Sequence, residues 1–361
     1  MKNRISNLSI KNFKSIKNLD LKCKRINLFI GKPNAGKSNI LEALSMYSGC
    51  YETNKERFLH SFIRFNTVHD LFHYRDLDKQ VEVVSDIGFV TLRHYRGIGN
   101  FIFATGDNIK PFHENEFSEG SINDYLNKMM PQTSTKKDSA LSPFLLYLTE
   151  LSYTNQNDFR QQAQSPVKKY DFKKIEATNN RFSLFLLPDG SNIYQLLEMY
   201  KELSDYAGQF FEEYGMEFLM KHVEKRMAIF RKVGKVIYEL GIELTPDTFQ
   251  RLLYNLTAIK SNTNSVLLFE EPESHSFPPY IQEFTNQIIQ SDTNQFFLTT
   301  HSPYLLNTFL QDKSIAKDLN VIVTWFDKFE TKIKILSQKE ISEIYGNGID
   351  IFFNMDNYIG K

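Results

Sequence analysis

The order of apolar and polar positions changes character several times along this 361-residue chain. Ile5, Leu8 and Ile10 lead into Asn12-Phe13-Lys14-Ser15-Ile16, and Leu19 and Leu21 then alternate with polar neighbours, which predicts strands. Ile26, Leu28, Phe29 and Ile30 form a nearly continuous apolar run, the pattern of a strand buried on both faces. Ile40, Leu41 and Leu44 fall at helical spacing and predict a helix from Ser38 to Met46. Between about 60 and 110, Val81 to Val84, Phe89 to Leu92 and Phe101 to Ala104, separated by Asp86, Gly88, Gly97 and Gly99, predict an antiparallel β lobe. The stretch 108–169 is polar and irregular around an apolar island from Phe144 to Leu151, and Ile193 to about Glu239 reads as helical with breaks near Gly215 and Gly234. A β/α alternation then returns. Thr245-Pro246 opens a helix through Ile259, Val266 to Phe269 is a strand, Tyr280 to Ile289 a helix and Gln295 to Leu298 a strand. Val321 to Trp325 and Lys332 to Leu336 read as a closing hairpin. There is no internal repeat. The expectation is an α/β protein with a mixed sheet, divided as 1–107 (first half of a core plus the β lobe), 108–240 (an irregular, then mainly helical insertion) and 241–361 (second half of the core).

Composition narrows the function classes only slightly. Hydrophobic residues make up 41% and charged residues 24%, the proportions of a globular domain. The 43 basic and 43 acidic side chains cancel, so no overall basic surplus supports a protein that coats nucleic acid. Two cysteines, Cys23 and Cys50, supply neither a disulfide framework nor metal-ligand spacing. No apolar run approaches the ~20 residues that span a bilayer, and the first residues enter a strand pattern without a signal-peptide core, so a soluble cytoplasmic protein with no membrane partner is expected. The 31 Phe and 18 Tyr are expected to fill the core.

The chemistry begins where the first buried strand ends. Gly31-Lys32-Pro33-Asn34-Ala35-Gly36-Lys37-Ser38 matches G-x-x-x-x-G-K-[ST] in full, with a buried strand before it and an amphipathic helix after it. Glycines let successive N–H groups turn inward toward phosphate oxygens, and the helix offers its positive end. Lys37 supplies charge to the β and γ phosphates, and Ser38 offers a hydroxyl to Mg²⁺. The ligand implied is a nucleoside triphosphate, ATP with Mg²⁺.

A phosphate loop needs a second strand that carries acids for the metal and the attacking water. Val266-Leu267-Leu268-Phe269-Glu270-Glu271 supplies one, and successive strand residues point to opposite sides, so the two carboxylates can divide the labour. Glu270 is assigned to the metal side, and Glu271 orients or deprotonates the water. His301, at the end of Phe296-Phe297-Leu298-Thr299-Thr300, stands where ligands bind in open α/β sheets and is placed to bond the γ phosphate or the water.

Together these residues resemble the ABC-type ATPases of the SMC, RecF and OLD group, above all the stand-alone bacterial AAA-like ATPases of anti-phage defence systems. The resemblance rests on Asn12-Phe13-Lys14-Ser15-Ile16, Gly36-Lys37-Ser38-Asn39, Phe269-Glu270-Glu271-Pro272-Glu273 and Thr299-Thr300-His301-Ser302-Pro303. It anchors roughly the first 50 and last 120 residues. It implies an ABC-ATPase-like phosphate-loop core split by an insertion, Asn39 among the nucleotide-binding residues, and a homodimer or higher oligomer with ATP between heads. It also implies a protein effector, nuclease-like or toxin-like, as partner. Three departures stand out. The family's Asp-Glu pair is Glu270-Glu271 here, so contact with the metal is expected to run through water. The Ser-Gly-rich signature that reaches across the dimer would fall at Leu244-Thr245-Pro246-Asp247-Thr248, which lacks glycine; Thr245 as N-cap and Pro246 in the first turn still define a helix N-terminus, with Asp247 opposing an anion and Thr248 beside it. The usual His-Pro reads Phe277-Pro278. Only sixty residues follow His301, too few for an OLD-type nuclease domain, and Asp76-Leu77-Asp78 is read as surface.

Three rival readings carry discriminating features. Thr135-Lys136-Lys137-Asp138 and Asp205-Tyr206-Ala207-Gly208 imitate GTPase motifs in reversed order. The altered signature and Glu270 suit an ATP-gated scaffold with little turnover. A DNA-repair ATPase would need a basic groove that the neutral composition does not supply.

Overall fold

The computed structural model describes residues 3–51, 59–95, 100–106, 144–148, 153–154, 165–172 and 183–359. The chain divides into two compact units, one formed by Met1–Lys24, Pro33–Lys168 and Thr324–Lys334, the other by Arg25–Lys32, Lys169–Val323 and Ile335–Lys361.

In the first unit β1 (Asn7–Phe13) and β2 (Ile16–Lys22) form a tight hairpin in which Phe13 faces Ile16. The hairpin turns at Lys14, whose φ is 47°. Strand β3 (Ile26–Gly31) follows in sequence and belongs to the second unit. The predicted lobe is present as β4 (Val81–Ser85), β5 (Gly88–Tyr95) and β6 (Asn100–Gly106), extended by β7 (Phe144–Leu148) and β8 (Tyr153–Thr154). With the first hairpin they make an antiparallel sheet in the order β2-β1-β4-β5-β6-β7-β8. Residues Phe144–Leu148 of the apolar island are thus a strand, and 149–151 lie outside the described residues. Helix α1 (Lys37–Ser45) buries Ile40, Leu41 and Leu44. Past its end the Tyr47 hydroxyl donates to the Val83 and Gly88 carbonyls, 3.0 and 2.7 Å away. Burial pushes that phenol well above its ordinary pKa.

The second unit is built on a sheet in which β3, β14 (Gln295–Thr300) and β13 (Val266–Glu270) run parallel, β14 in the middle. β15 (Leu319–Asp327) flanks β3, and β9 (Val167–Tyr170) flanks β13. The inner strands are buried along almost their whole length because both faces are covered, which is why they read as nearly continuous apolar runs. The aromatics serve this core: Phe269 stacks on Tyr170 at 5.8 Å and meets Phe284 edge-on at 5.3 Å. The connecting helices are α4 (Asp247–Ser261), α5 (Pro278–Gln290), α6 (Pro303–Gln311) and, after β16 (Glu330–Ile335), α7 (Gln338–Gly346).

The helical reading of Ile193 to Glu239 holds for α2 (Ile193–Met199) and α3 (Lys201–Glu212) and fails beyond Gly215. There the chain forms an antiparallel meander of β10 (Glu217–Lys221), β11 (Arg226–Val233) and β12 (Val236–Gly241). Gly215 and Gly234, read as helix breaks, instead take positive φ of 65° and 63°. Gly234 provides the backbone that the first position of a two-residue hairpin loop demands.

Candidate functional site

Gly31 closes β3 and is buried; Lys32, Pro33 and Asn34 are exposed, and Ala35 and Lys37 are buried. Asn34 at φ 60° and Gly36 at φ 91° give the loop the left-handed turns that point backbone N–H groups to one side. Gly36 is the N-cap of α1, which has no side-chain cap and no acidic residue in its first turn, so its positive end is left for an anion. A side chain at Gly36 would collide with Thr331: an added Cβ would lie 1.9 Å from Thr331 Oγ1. Thr331 is itself tied to Ser15, Oγ to Oγ at 2.6 Å, and Asn39 Nδ2 donates to Ser15 Oγ at 2.6 Å. Lys14 pairs with the buried Glu42 of α1, whose other oxygen takes Arg64 Nε at 2.8 Å. Lys14 and Ser15 of the Asn12–Ile16 stretch therefore brace the loop and the helix behind it.

The strand register gathers the other candidates at one edge. Thr300 is level with Ile30, and Glu270 with Thr299. The next residues of the three parallel strands, Gly31, His301 and Glu271, therefore emerge side by side at the carboxyl edge. Glu271 leaves the strand at φ 43°, a left-handed conformation uncommon for glutamate and of the sort that collects at functional positions. Its N–H donates to the Thr299 carbonyl at 3.1 Å, which holds the turn. The Glu271 carboxylate reaches His301 Nε2 at 3.5 Å, and both side chains are partly open to solvent.

Glu273 lies behind this pair. Its Oε1 accepts from Thr300 Oγ1 at 2.5 Å and from the His301 N–H at 3.1 Å, while Oε2 is buried without a partner. Burial, with repulsion from Glu271, outweighs these bonds and raises its pKa above the usual carboxylate range. The Glu270 carboxylate is engaged by the buried Lys169 of β9 at 3.2 Å. The donors expected for a magnesium ion are therefore unequal. Ser38 is partly exposed on the loop, whereas Glu270 already has a cation, and no group of three metal-ligating His, Cys, Asp or Glu side chains occurs among the described residues.

The signature segment departs from expectation in detail. The N-cap of α4 is Pro246, not Thr245, because the Thr245 hydroxyl turns back to the Ile242 carbonyl at 2.6 Å. Asp247 pairs with Arg251 at 2.6 Å, and the Thr248 hydroxyl donates to the His275 carbonyl at 2.7 Å. The Asp205–Gly208 stretch lies inside α3, where no switch loop exists; Thr135 to Asp138 fall outside the described residues. Asp76 pairs with Lys79 at 2.7 Å, as suits a surface group. Among the described residues no helix is long and apolar enough to cross a membrane.

Lys169 and Glu273 are the residues that reading the sequence missed. Lys169 sat unnoticed in Val-Lys-Lys-Tyr, a strand-length segment at the end of a polar stretch. Glu273 closes the Phe269–Glu273 motif, and nothing in the linear order marks it as a partner of Thr300 and His301.

Residues 26–307 match a family of AAA domains described as putative AbiEii toxin, type IV TA system. No curated protein matches the sequence. Among solved structures, the SmcHead bound to the C-winged helix domain of ScpA is similar at 13% identity, covering 93% of this chain and 99% of that one with a TM-score of 0.50. The SMC head domain from Thermotoga maritima matches at 13% identity, 92% and 99% coverage and a TM-score of 0.40. At that identity the first likeness speaks to the fold, an SMC-head-like α/β arrangement.

Proposed function

This chain belongs to the family of AAA domains described as putative AbiEii toxin, type IV TA system, and from that premise we propose that it binds ATP on the loop Gly31–Ser38 and hydrolyses it with Glu271. One observation carries the reading: the register sets Gly31, Glu271 and His301 at neighbouring strand ends, with Glu271 and His301 3.5 Å apart. Loop N–H groups, Lys37 and the start of α1 bind the phosphates, and Asn39 supports the loop through Ser15. Glu271 orients the attacking water and takes its proton; His301, oriented by its contact with Glu271, bonds the γ phosphate or that water. A magnesium ion, if bound, would supply positive charge to the phosphate oxygens; Ser38 would be its donor on the loop, and Glu270 is the acid that the sequence assigns to it.

The proposal extends to assembly. Two heads pair around nucleotide, with Thr245, Asp247 and Thr248 at the start of α4 facing the partner's triphosphate, and the dimer regulates a protein effector in antiviral defence. The solved SMC head in complex with a domain of ScpA lends support to a protein partner. A second reading, an ATP-gated clamp with little turnover, is favoured by the Lys169–Glu270 pair.

Turnover of ATP by the purified chain decides between them. Glu271→Gln should keep nucleotide affinity and lower the hydrolysis rate by about 10²–10⁴-fold, the effect of losing a positioned base. Hydrolysis at the parental rate in that variant would remove Glu271 from the mechanism. A parental rate no higher than the hydrolysis of ATP without protein would favour the clamp.

A further inference from the structure

The Lys169–Glu270 pair does not follow from a phosphate-loop site, and it bears on how the site handles metal. Lys169 is only 3% exposed and its ammonium stands 3.2 Å from a Glu270 carboxylate that is 14% exposed. The backbone that carries the lysine is held in place. Its neighbour Tyr170 on β9 is stacked on Phe269 at 5.8 Å, donates its hydroxyl to the Leu186 carbonyl at 2.6 Å, and accepts from Asn262 Nδ2 at 2.8 Å. β9 lies beside β13 in the sheet, so the anchor of the cation is the strand next to the one that carries the acid.

We propose that Lys169 is a resident cation of this site that withdraws Glu270 from metal coordination, so that a divalent ion contributes little to nucleotide affinity. The inference rests on the reading of Gly31–Ser38 as a nucleotide site. Its physical basis is charge. A divalent ion strengthens nucleotide binding by bridging phosphate oxygens to protein anions, and an anion already neutralised by a buried ammonium offers little attraction. A divalent ion at Glu270 would also be repelled by the fixed positive charge of Lys169. Ser38 is left as a neutral hydroxyl donor. Glu270 is then a partner that keeps the Lys169 charge tolerable inside the sheet.

The test is the affinity for a non-hydrolysable ATP analogue, measured by calorimetry with excess Mg²⁺ and again with excess EDTA. Couplings between two ligands of one protein are typically about 5–150-fold, and that range sets the scale of the comparison. The proposal expects the parental ratio of the two affinities to lie below about fivefold, the bottom of that range. Glu270→Gln should leave the ratio as it is. Lys169→Met should raise it by about tenfold or more, because the carboxylate is released to the metal. Lys169→Met with Glu270→Gln, a neutral pair of similar shape, should restore the parental ratio. Should Lys169→Met not fold, Glu270→Gln alone decides: a fall in the Mg²⁺-to-EDTA ratio of about tenfold in that variant makes Glu270 a metal-side ligand and overturns the proposal. An unchanged ratio in folded Lys169→Met overturns it too. Failure of the functional reading looks different, since Lys37→Ala would then bind the analogue as tightly as the parent does.

Discussion

Two sheet regions of the second unit use similar apolar strands for opposite ends. In β13 and β14, Val266 to Phe269 and Phe296 to Leu298 are all but inaccessible to solvent, because helices or neighbouring strands cover them on every side. In the meander, Val236, Ile237 and Tyr238 of β12 are exposed, the last two at 62%. Glu239 of that strand bonds with Lys221 and Arg226. Burial runs through Phe269 in β13 and through Thr300 in β14 and ends there. Glu270, Glu271 and His301 follow at once, at the carboxyl edge that open parallel sheets present to ligands. The contrast teaches that an apolar strand positions chemistry only when both its faces are packed, since packing is what fixes the direction of the residues at its end. The meander has the composition of a strand sheet and none of that constraint.

The contrast can be broken at several levels. The largest effect is expected at the loop that follows β3. Lys37→Ala should weaken ATP binding by at least about 100-fold, the loss of two charge-assisted contacts of ~1.5–3 kcal/mol each, as read by calorimetry; the meander has no position where a single truncation should touch nucleotide affinity. Phe297→Ala, which removes a fully buried ring stacked on Phe29 at 6.5 Å, should cost about 3–5 kcal/mol in denaturant unfolding. A loss below about 1 kcal/mol there would mean that the packing of the parallel sheet is much looser than its burial implies.

A subtler effect concerns Glu273, whose buried carboxyl has a pKa raised by desolvation. An acid whose folded pKa lies above its unfolded value favours the folded state while both forms are protonated. That advantage is lost as pH climbs through the unfolded and then the folded pKa. Glu273→Gln removes the charged form. Melting temperatures followed from pH 4 to pH 8 should therefore move in favour of the variant, relative to the parent, as pH rises. A difference independent of pH would show that the carboxyl titrates as it does in the unfolded chain. Smallest of all, Ile237→Ala on the exposed β12 should change stability by no more than about 0.5 kcal/mol and leave ATP binding untouched.

Legibility differed in the same way between the two regions. The parallel strands, the glycine loop and the acid–histidine order were readable because a doubly buried strand must be a nearly continuous apolar run and a phosphate loop must carry its glycines and lysine in fixed order. The stretch from Gly215 to about Glu239 reads as helix on apolar spacing alone, which does not separate a helix from short strands there. The choice was made by antiparallel pairing and by Gly215 and Gly234 at positive φ, neither of which periodicity reveals. Thr245 was a sound N-cap by residue type, yet its hydroxyl found the Ile242 carbonyl and left Pro246 at that position.

The linear chain by itself determined the chemistry carried by local backbone: the turn of Gly31–Ser38, the helix behind it, and the acids and histidine at the ends of apolar strands. These depend on torsion angles and on neighbours a few residues away. Which strand stands beside which, and therefore that Gly31, Glu271 and His301 share an edge, that Glu273 holds Thr300 and the His301 N–H, and that Lys169 neutralises Glu270, was decided only by the tertiary structure. Such pairings join residues up to about 270 positions apart, and charge and hydrogen bonding act through a few ångströms of space, a distance that no pattern along the chain records.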